Sequence, residues 1–259
     1  MTTFSSGNAQ PAPVFSGASG SERTARLCAE SALFMRDHVL SVVSHDLRGP
    51  LNAIHSWAYV LERKLDAADA TAQRAIDGIR NGVDQQVKLL ESVVDATRAG
   101  TKSLALARAP FALRPMIDAT ADEVRSALSS ARGVTIAVDS PRAGETLNGD
   151  AERLSQALWL MLTFAVEASA RDATVTLTSR TDATSWHASV TFTPAPAALD
   201  DATLPHLLEA FARGQAREPR EAGRISWVLA LCKRVAEAHD GQFEQNEQAL
   251  TMRIPLSAA

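Results

Sequence analysis

The sequence is poor in the features that would tie it to a metal, a membrane or nucleic acid. Only two cysteines, Cys28 and Cys232, occur in 259 residues. They lie far apart, fit no metal-ligand spacing, and read as small apolar residues in a reducing compartment. No apolar run approaches the ~20 residues needed to cross a bilayer, and the densest, residues 159–166, is far shorter. The N-terminus carries Ser, Gly and Pro without an apolar signal segment. Lysines and arginines are scattered and the net charge is only −4, which argues against a nucleic-acid partner. The expectation is a cytoplasmic protein with no membrane contact, no bound metal and no nucleic acid. Its input signal must then arrive through another protein.

What is present is a globular composition, 46% hydrophobic and 22% charged, in a chain long enough for one large or two ordinary domains. Residues 1–20 are rich in Ser, Gly, Pro and Thr and read as a disordered tail. From about residue 21, Leu40, Val43, Leu47, Leu51, Ile54, Ala58, Leu61 and Leu65 recur at steps of three and four. After a short break at residues 66–69, Ile76, Ile79, Val83, Val87, Leu90 and Val94 repeat that stripe as far as Gly100. Two amphipathic helices with a short connection make an antiparallel hairpin. Such a hairpin buries too little by itself, so residues 21–104 are expected to dimerise into a four-helix bundle.

Residues 105–259 alternate differently. Helices are expected at 112–130, 150–170, 204–213 and 225–239, with strands at 134–138, 174–179 and 186–192 and a closing hairpin of 242–245 with 250–254. Asp150 is suited to cap the second of these helices, with Glu152 in its first turn. The fold class is therefore α+β: a helical hairpin followed by a two-layer α/β sandwich.

The most informative segment is Ser44-His45-Asp46-Leu47-Arg48-Gly49-Pro50-Leu51-Asn52-Ala53-Ile54. At roughly 100° per residue, His45 lies about 200° from Val43 and from Leu47, opposite the apolar stripe. His38, Ser41, Arg48 and Asn52 share its polar face. A neutral imidazole is a good nucleophile near neutral pH, and Asp46 can orient it or take its proton. Arg48, Asn52 and Ser41 are the expected phosphoryl and docking contacts. Pro50 removes the amide that would bond the Asp46 carbonyl, so a kink is expected one turn after the histidine.

This segment closely resembles the phosphoacceptor box of sensor histidine kinases, S-H-[ED]-L-R-x-P-L-x-x-I. Residues 89–98 resemble the end of that family's second hairpin helix, and residues 109–113 its linker into the ATP-binding domain. The resemblance implies that His45 is the phosphorylated residue, Asp46 its acidic helper, and the hairpin the surface for dimerisation and regulator docking. Many members carry Thr or Asn four residues after the histidine, where it positions a water that dephosphorylates the regulator. Here that position is Gly49, which implies a poor phosphatase.

Residues 149–158, 204–211 and 233–241 resemble further anchors of the family's ATP-binding domain, but the chemistry between them differs. The asparagines that help hold magnesium and phosphate fall on Leu160 and Phe164. The adenine box D-x-G-x-G falls on Pro194-Ala195-Pro196-Ala197-Ala198, and the phosphate box G-x-G-x-G on Arg224-Ile225-Ser226-Trp227-Val228, with Gly223 just before it. A phosphate cradle needs glycines for close backbone approach, proline deletes a donor, and magnesium prefers oxygen ligands. Trp159 and Trp227 are expected to pack where the nucleotide pocket would have been. Arg153 and Lys233 read as a solvated helical face.

The expected function is that of a phosphotransfer protein with no cofactor of its own. An upstream histidine kinase and response-regulator receiver domains would be its partners, exchanging phosphoryl groups with His45 in a phosphorelay. Two alternatives stay open: an active ATP-dependent kinase using Mg-ATP at a divergent site, and a non-catalytic docking or inhibitory partner of a kinase or regulator.

Overall fold

A computed structural model of the chain describes residues 22–64, 69–98, 104–139, 144–217 and 224–256. The expected tail at 1–20, residues 66–68 of the expected break, Leu65 of the stripe, and Gly100 and Gly223 lie outside them. Helices α1 (Glu22–Lys64) and α2 (Ala70–Arg98) form the hairpin. Asp69 caps α2, its carboxylate accepting from the amides of Thr71 and Ala72 at 3.0 Å. Leu51, Ala58, Ile76 and Val83 are buried in the seam, whereas Val43, Leu47, Ile54, Leu61 and Ile79 stay exposed in the single chain. The apolar stripe is thus only half covered by the hairpin itself.

The second unit runs β1 (Ala109–Ala112), α3 (Leu113–Val124), a π-turn (Arg125–Ser129) and α4 (Ser130–Arg132). It continues with β2 (Thr135–Asp139), β3 (Thr146–Gly149), α5 (Ala151–Glu167), β4 (Thr174–Thr181), β5 (Ser185–Thr191) and α6 (Ala210–Arg217). It closes with α7 (Ala230–Ala238), β6 (Gln242–Gln245) and β7 (Ala249–Pro255). The main sheet has the order β2-β4-β5-β7-β6, antiparallel except for the β2–β4 pair. That parallel pair is joined through α5, as a parallel connection requires. Alternate residues Val175, Leu177, Trp186, Ala188, Val190, Leu250, Met252 and Ile254 are buried on one sheet face, covered by α3, α5 and α7. Asp150 caps α5 as expected, accepting from the Arg153 amide at 3.0 Å. Gly241 is obligatory where β6 begins: a Cβ there would lie 2.2 Å from the Arg253 carbonyl oxygen.

Four features differ from the sequence reading. Strands β1 and β3 pair into a small antiparallel sheet that was not anticipated. The expected helix at 204–213 begins only at Ala210, because the amides of Leu207 and Leu208 donate to the buried Glu167 carboxylate at 2.7 and 2.9 Å instead of to a helical ladder. Arg153 is not on a solvated face: it pairs with Glu30 of α1 at 3.1 Å. Finally, the core crosses the expected boundary at 104/105, since Leu27, Phe34 and Met35 of α1 join the apolar cluster of the α/β unit. Arg23–Glu123 at 3.0 Å, Arg36–Glu209 at 2.8 Å and Arg26–Glu152 reinforce this docking.

Candidate functional site

His45 sits in the middle of α1 with its side chain 83% exposed. Its Nδ1 lies 3.2 Å from Asp46 Oδ1. A carboxylate accepts, so in this contact the ring donates from Nδ1, which leaves Nε2 as the ring's acceptor nitrogen. The other Asp46 oxygen is 3.9 Å from the Arg224 guanidinium. One carboxylate therefore faces both the imidazole and a cation from the α/β unit.

Between α1 and the segment 224–237 lies a cleft of about 400 Å³. Its wall on α1 includes His38, Ser41, His45 and Asp46, and its opposite wall includes Arg224, Trp227 and Lys233. Ser41 thus belongs to the cleft, its hydroxyl donating to the Asp37 carbonyl at 2.9 Å. Arg48 faces the other helix of the hairpin, 3.5 Å from Glu91. Asn52 is exposed, and its carbonyl accepts from Ser56 Oγ at 2.8 Å. The three expected docking residues do not converge on one point. Pro50 lies inside α1, whose helical assignment is unbroken across it. A Cβ added at Gly49 would meet nothing within 4 Å.

The positions expected to hold a magnesium nucleotide have other occupations. Leu160 is fully buried and Phe164 nearly so, and Phe164 packs edge-on against Phe192 at 6.1 Å. Neither supplies an oxygen for a metal ion. Around Pro194 and Pro196, the Ala195 amide donates to the Ala168 carbonyl at 2.7 Å and the Ala198 amide to the Ala195 carbonyl at 2.8 Å. In the segment from Arg224 to Val228, the Ser226 amide donates to Gln245 Oε1 at 2.7 Å and the Trp227 amide to Gln215 Oε1 at 2.9 Å. Val228 is buried. Donors that could cradle phosphate are already taken by glutamine side chains, so these residues do not fit Mg-ATP. Trp159 is buried in the core, whereas Trp227 is half-buried beside α1 and stacks obliquely on the exposed Phe211 at 6.0 Å. The two tryptophans do not share a site. Lys233 is half exposed, 3.9 Å from Glu237 on its own helix, and lines the cleft.

Sequence reasoning missed Arg224 as a neighbour of the phosphoacceptor. It also missed the buried cluster of Arg132, Glu167 and His206. A glutamate closing the apolar run of α5 is the local hint of that cluster.

Among the described residues, no helix is long and apolar enough to cross a membrane. Residues 35–102 match the family model of the His Kinase A (phospho-acceptor) domain. A crystal structure of a histidine kinase from Burkholderia phymatum STM815 is 56% identical, covers 92% of this chain and 100% of its own, and superposes with a TM-score of 0.76. The sensor protein TorS of Escherichia coli K12 is 26% identical over 249 residues, 92% of this chain and 26% of TorS. The histidine-protein kinase BaeS of the same organism is 25% identical over 238 residues, 86% of this chain and 47% of BaeS. The chain thus spans less than half the length of these curated relatives.

Proposed function

The chain belongs to the histidine kinase family of two-component signalling, and from that membership we propose that it works as a phosphohistidine relay. His45 takes a phosphoryl group from the phosphoaspartate of one receiver domain and gives it to the aspartate of another. In the forward step Nε2 attacks phosphorus in line, the N–P bond forms, the acyl O–P bond breaks, and the receiver carboxylate departs with its electron pair. Asp46 holds the Nδ1 proton during attack and accepts it afterwards, passing it to solvent. The reverse step runs through the same positions.

The observation that carries this reading is the engagement of the Ser226 and Trp227 amides by Gln245 and Gln215, beside a phosphoacceptor that is itself open to solvent. It favours phosphate arriving from outside over phosphate from a nucleotide bound in the same chain. The exposed Val43, Leu47, Ile54 and Leu61 repeat at four- and seven-residue steps. They support closure with a second copy into a four-helix bundle, to be checked by light scattering, where a monomer would refute it.

The test incubates the full chain separately with radiolabelled Mg-ATP and with a panel of labelled phosphoreceiver domains. Label should reach wild-type His45 from at least one receiver, not from ATP, and be absent from His45→Ala. Labelling of His45 from ATP by the protein alone would overturn the relay in favour of a kinase. Unchanged signalling output in His45→Ala cells would overturn it in favour of a docking role.

A further inference from the structure

Arg224 stands where the resemblance puts the first glycine of a phosphate box, yet its guanidinium faces the carboxylate next to His45. It lies 3.9 Å from Asp46 Oδ2, while Asp46 Oδ1 is 3.2 Å from His45 Nδ1. The chain just after Arg224 is anchored. Two residues on, Ser226 is fully buried, its amide donating to Gln245 Oε1 at 2.7 Å and its hydroxyl accepting from Gln245 Nε2 at 3.2 Å. The same cleft is lined by the cations Lys233 and Arg234 and by the carboxylates Asp37, Asp46 and Glu237. Opposite charges are matched in number there while His45 is neutral. A phosphoryl group on His45 adds up to two negative charges against Asp46 and upsets that match. A guanidinium suits three phosphoryl oxygens better than it suits a carboxylate at 3.9 Å, because its fork of N–H donors binds two oxygens at once.

We propose that Arg224 is the counter-ion of phosphorylated His45: the guanidinium that faces Asp46 in the unmodified protein engages the phosphoryl oxygens and holds the group in the cleft between α1 and the α/β unit. This rests on the relay reading of His45 and adds a ligand subsite to it. Arg224 then stabilises the phosphorylated form relative to the free one and biases where the phosphoryl group resides. Both side chains are about half exposed, so screening limits the effect to about threefold to tenfold in that equilibrium.

The test uses the full chain and phosphoramidate as a small donor. His45 Nε2 displaces ammonia from phosphorus, one N–P bond forming as another breaks, so the equilibrium is set by the phosphoramidate and ammonia concentrations. Wild type, Arg224→Ala and Arg224→Lys are compared by the fraction of His45 phosphorylated and by the phosphorus NMR titration of the phosphoryl group. Arg224→Ala should lower the phosphorylated fraction about threefold to tenfold and move the phosphoryl ionisation to higher pH. Arg224→Lys should recover part of both, which a merely structural role would not produce. Identical titrations and fractions in wild type and Arg224→Ala would overturn the role of Arg224 alone. A wild type that takes no phosphoryl group on His45 from phosphoramidate or from any receiver would overturn the relay reading itself, and this proposal with it.

Discussion

Glu167 offers the sharpest test of how the α/β unit is held shut. Its side chain is fully buried. One oxygen accepts from the amides of Leu207 and Leu208 at 2.7 and 2.9 Å, and the other lies 2.7 Å from His206 Nδ1. The nearly buried Arg132 guanidinium completes the cluster, donating to the carbonyls of Pro205 at 2.8 Å, Glu167 at 2.9 Å and Ala198 at 3.2 Å. Burial lowers the Arg132 pKa and the Glu167 carboxylate pulls it back up. Glu167→Ala removes the acceptor of two amides, each costing ~1–3 kcal/mol when left unmet, and takes away a carboxylate that favours the charged form of the buried arginine. The two amides together set the expected loss at about 4 kcal/mol. Glu167→Gln keeps one carbonyl oxygen for the two amides and loses only the charge, so about 1–2 kcal/mol is expected. Urea unfolding at pH 7 reads the global loss, and hydrogen exchange at Leu207 and Leu208 reads the local one. If Glu167→Ala stays within ~1 kcal/mol of wild type and those amides keep their protection, the clamp does not hold the segment and the reasoning fails.

Three further outcomes follow from the same structure. Met35→Ala, at a side chain only 2% exposed between α1 and the α/β unit, should cost about 2–4 kcal/mol and raise proteolytic nicking between the two units; unchanged nicking would show that the docking does not depend on this anchor. His239 donates from Nδ1 to the Val235 carbonyl at 2.8 Å and accepts the Asp150 amide on Nε2 at 3.0 Å, and burial pulls its pKa below the ordinary 6.5. The unfolded chain therefore takes up that proton first: stability is complete above about pH 6.5 and falls as the pH drops below it, and His239→Gln should flatten the decline in urea midpoint between pH 7.5 and 5. An unaltered slope would count against this assignment. Gly49→Ala, in open space on a helix, should stabilise the hairpin by about 0.5–1 kcal/mol, measured by thermal unfolding, and a loss of stability there would contradict the helical geometry around the phosphoacceptor.

Much of this was legible in the sequence, and what was not has a physical reason. The α1 and α2 stripes, the phosphoacceptor box, the Asp150 cap and the alternation of β4, β5, β6 and β7 are local patterns, and periodicity reports them directly. The docking of α1 onto the α/β unit has no local signal. Leu27, Phe34 and Met35 continue the same helical spacing as the hairpin seam, and their partners lie about a hundred residues or more away, as in Arg23–Glu123 and Arg153–Glu30. Residues 204–209 have helical spacing, but their amides are claimed by Glu167 from another element, and tertiary contact overrode propensity. In the sequence Arg224 reads only as a missing glycine. Its significance came from where the fold sets it, facing Asp46.

The replacements in the α/β unit are chemically coordinated. A nucleotide site that merely decayed would leave loop amides without acceptors, and each buried orphan is costly. In this chain Gln245 and Gln215 receive the amides of Ser226 and Trp227, and Glu167 receives those of Leu207 and Leu208. Leu160 and Phe164 complete an apolar core where oxygen ligands would have stood. The same unit is fastened to α1 by three buried apolar side chains and several ion pairs. These contacts oppose movement of the unit relative to His45. They suit a fixed wall beside His45. That wall leaves His45 exposed on its solvent side and sets Arg224 on the other, an arrangement that favours the proposed relay.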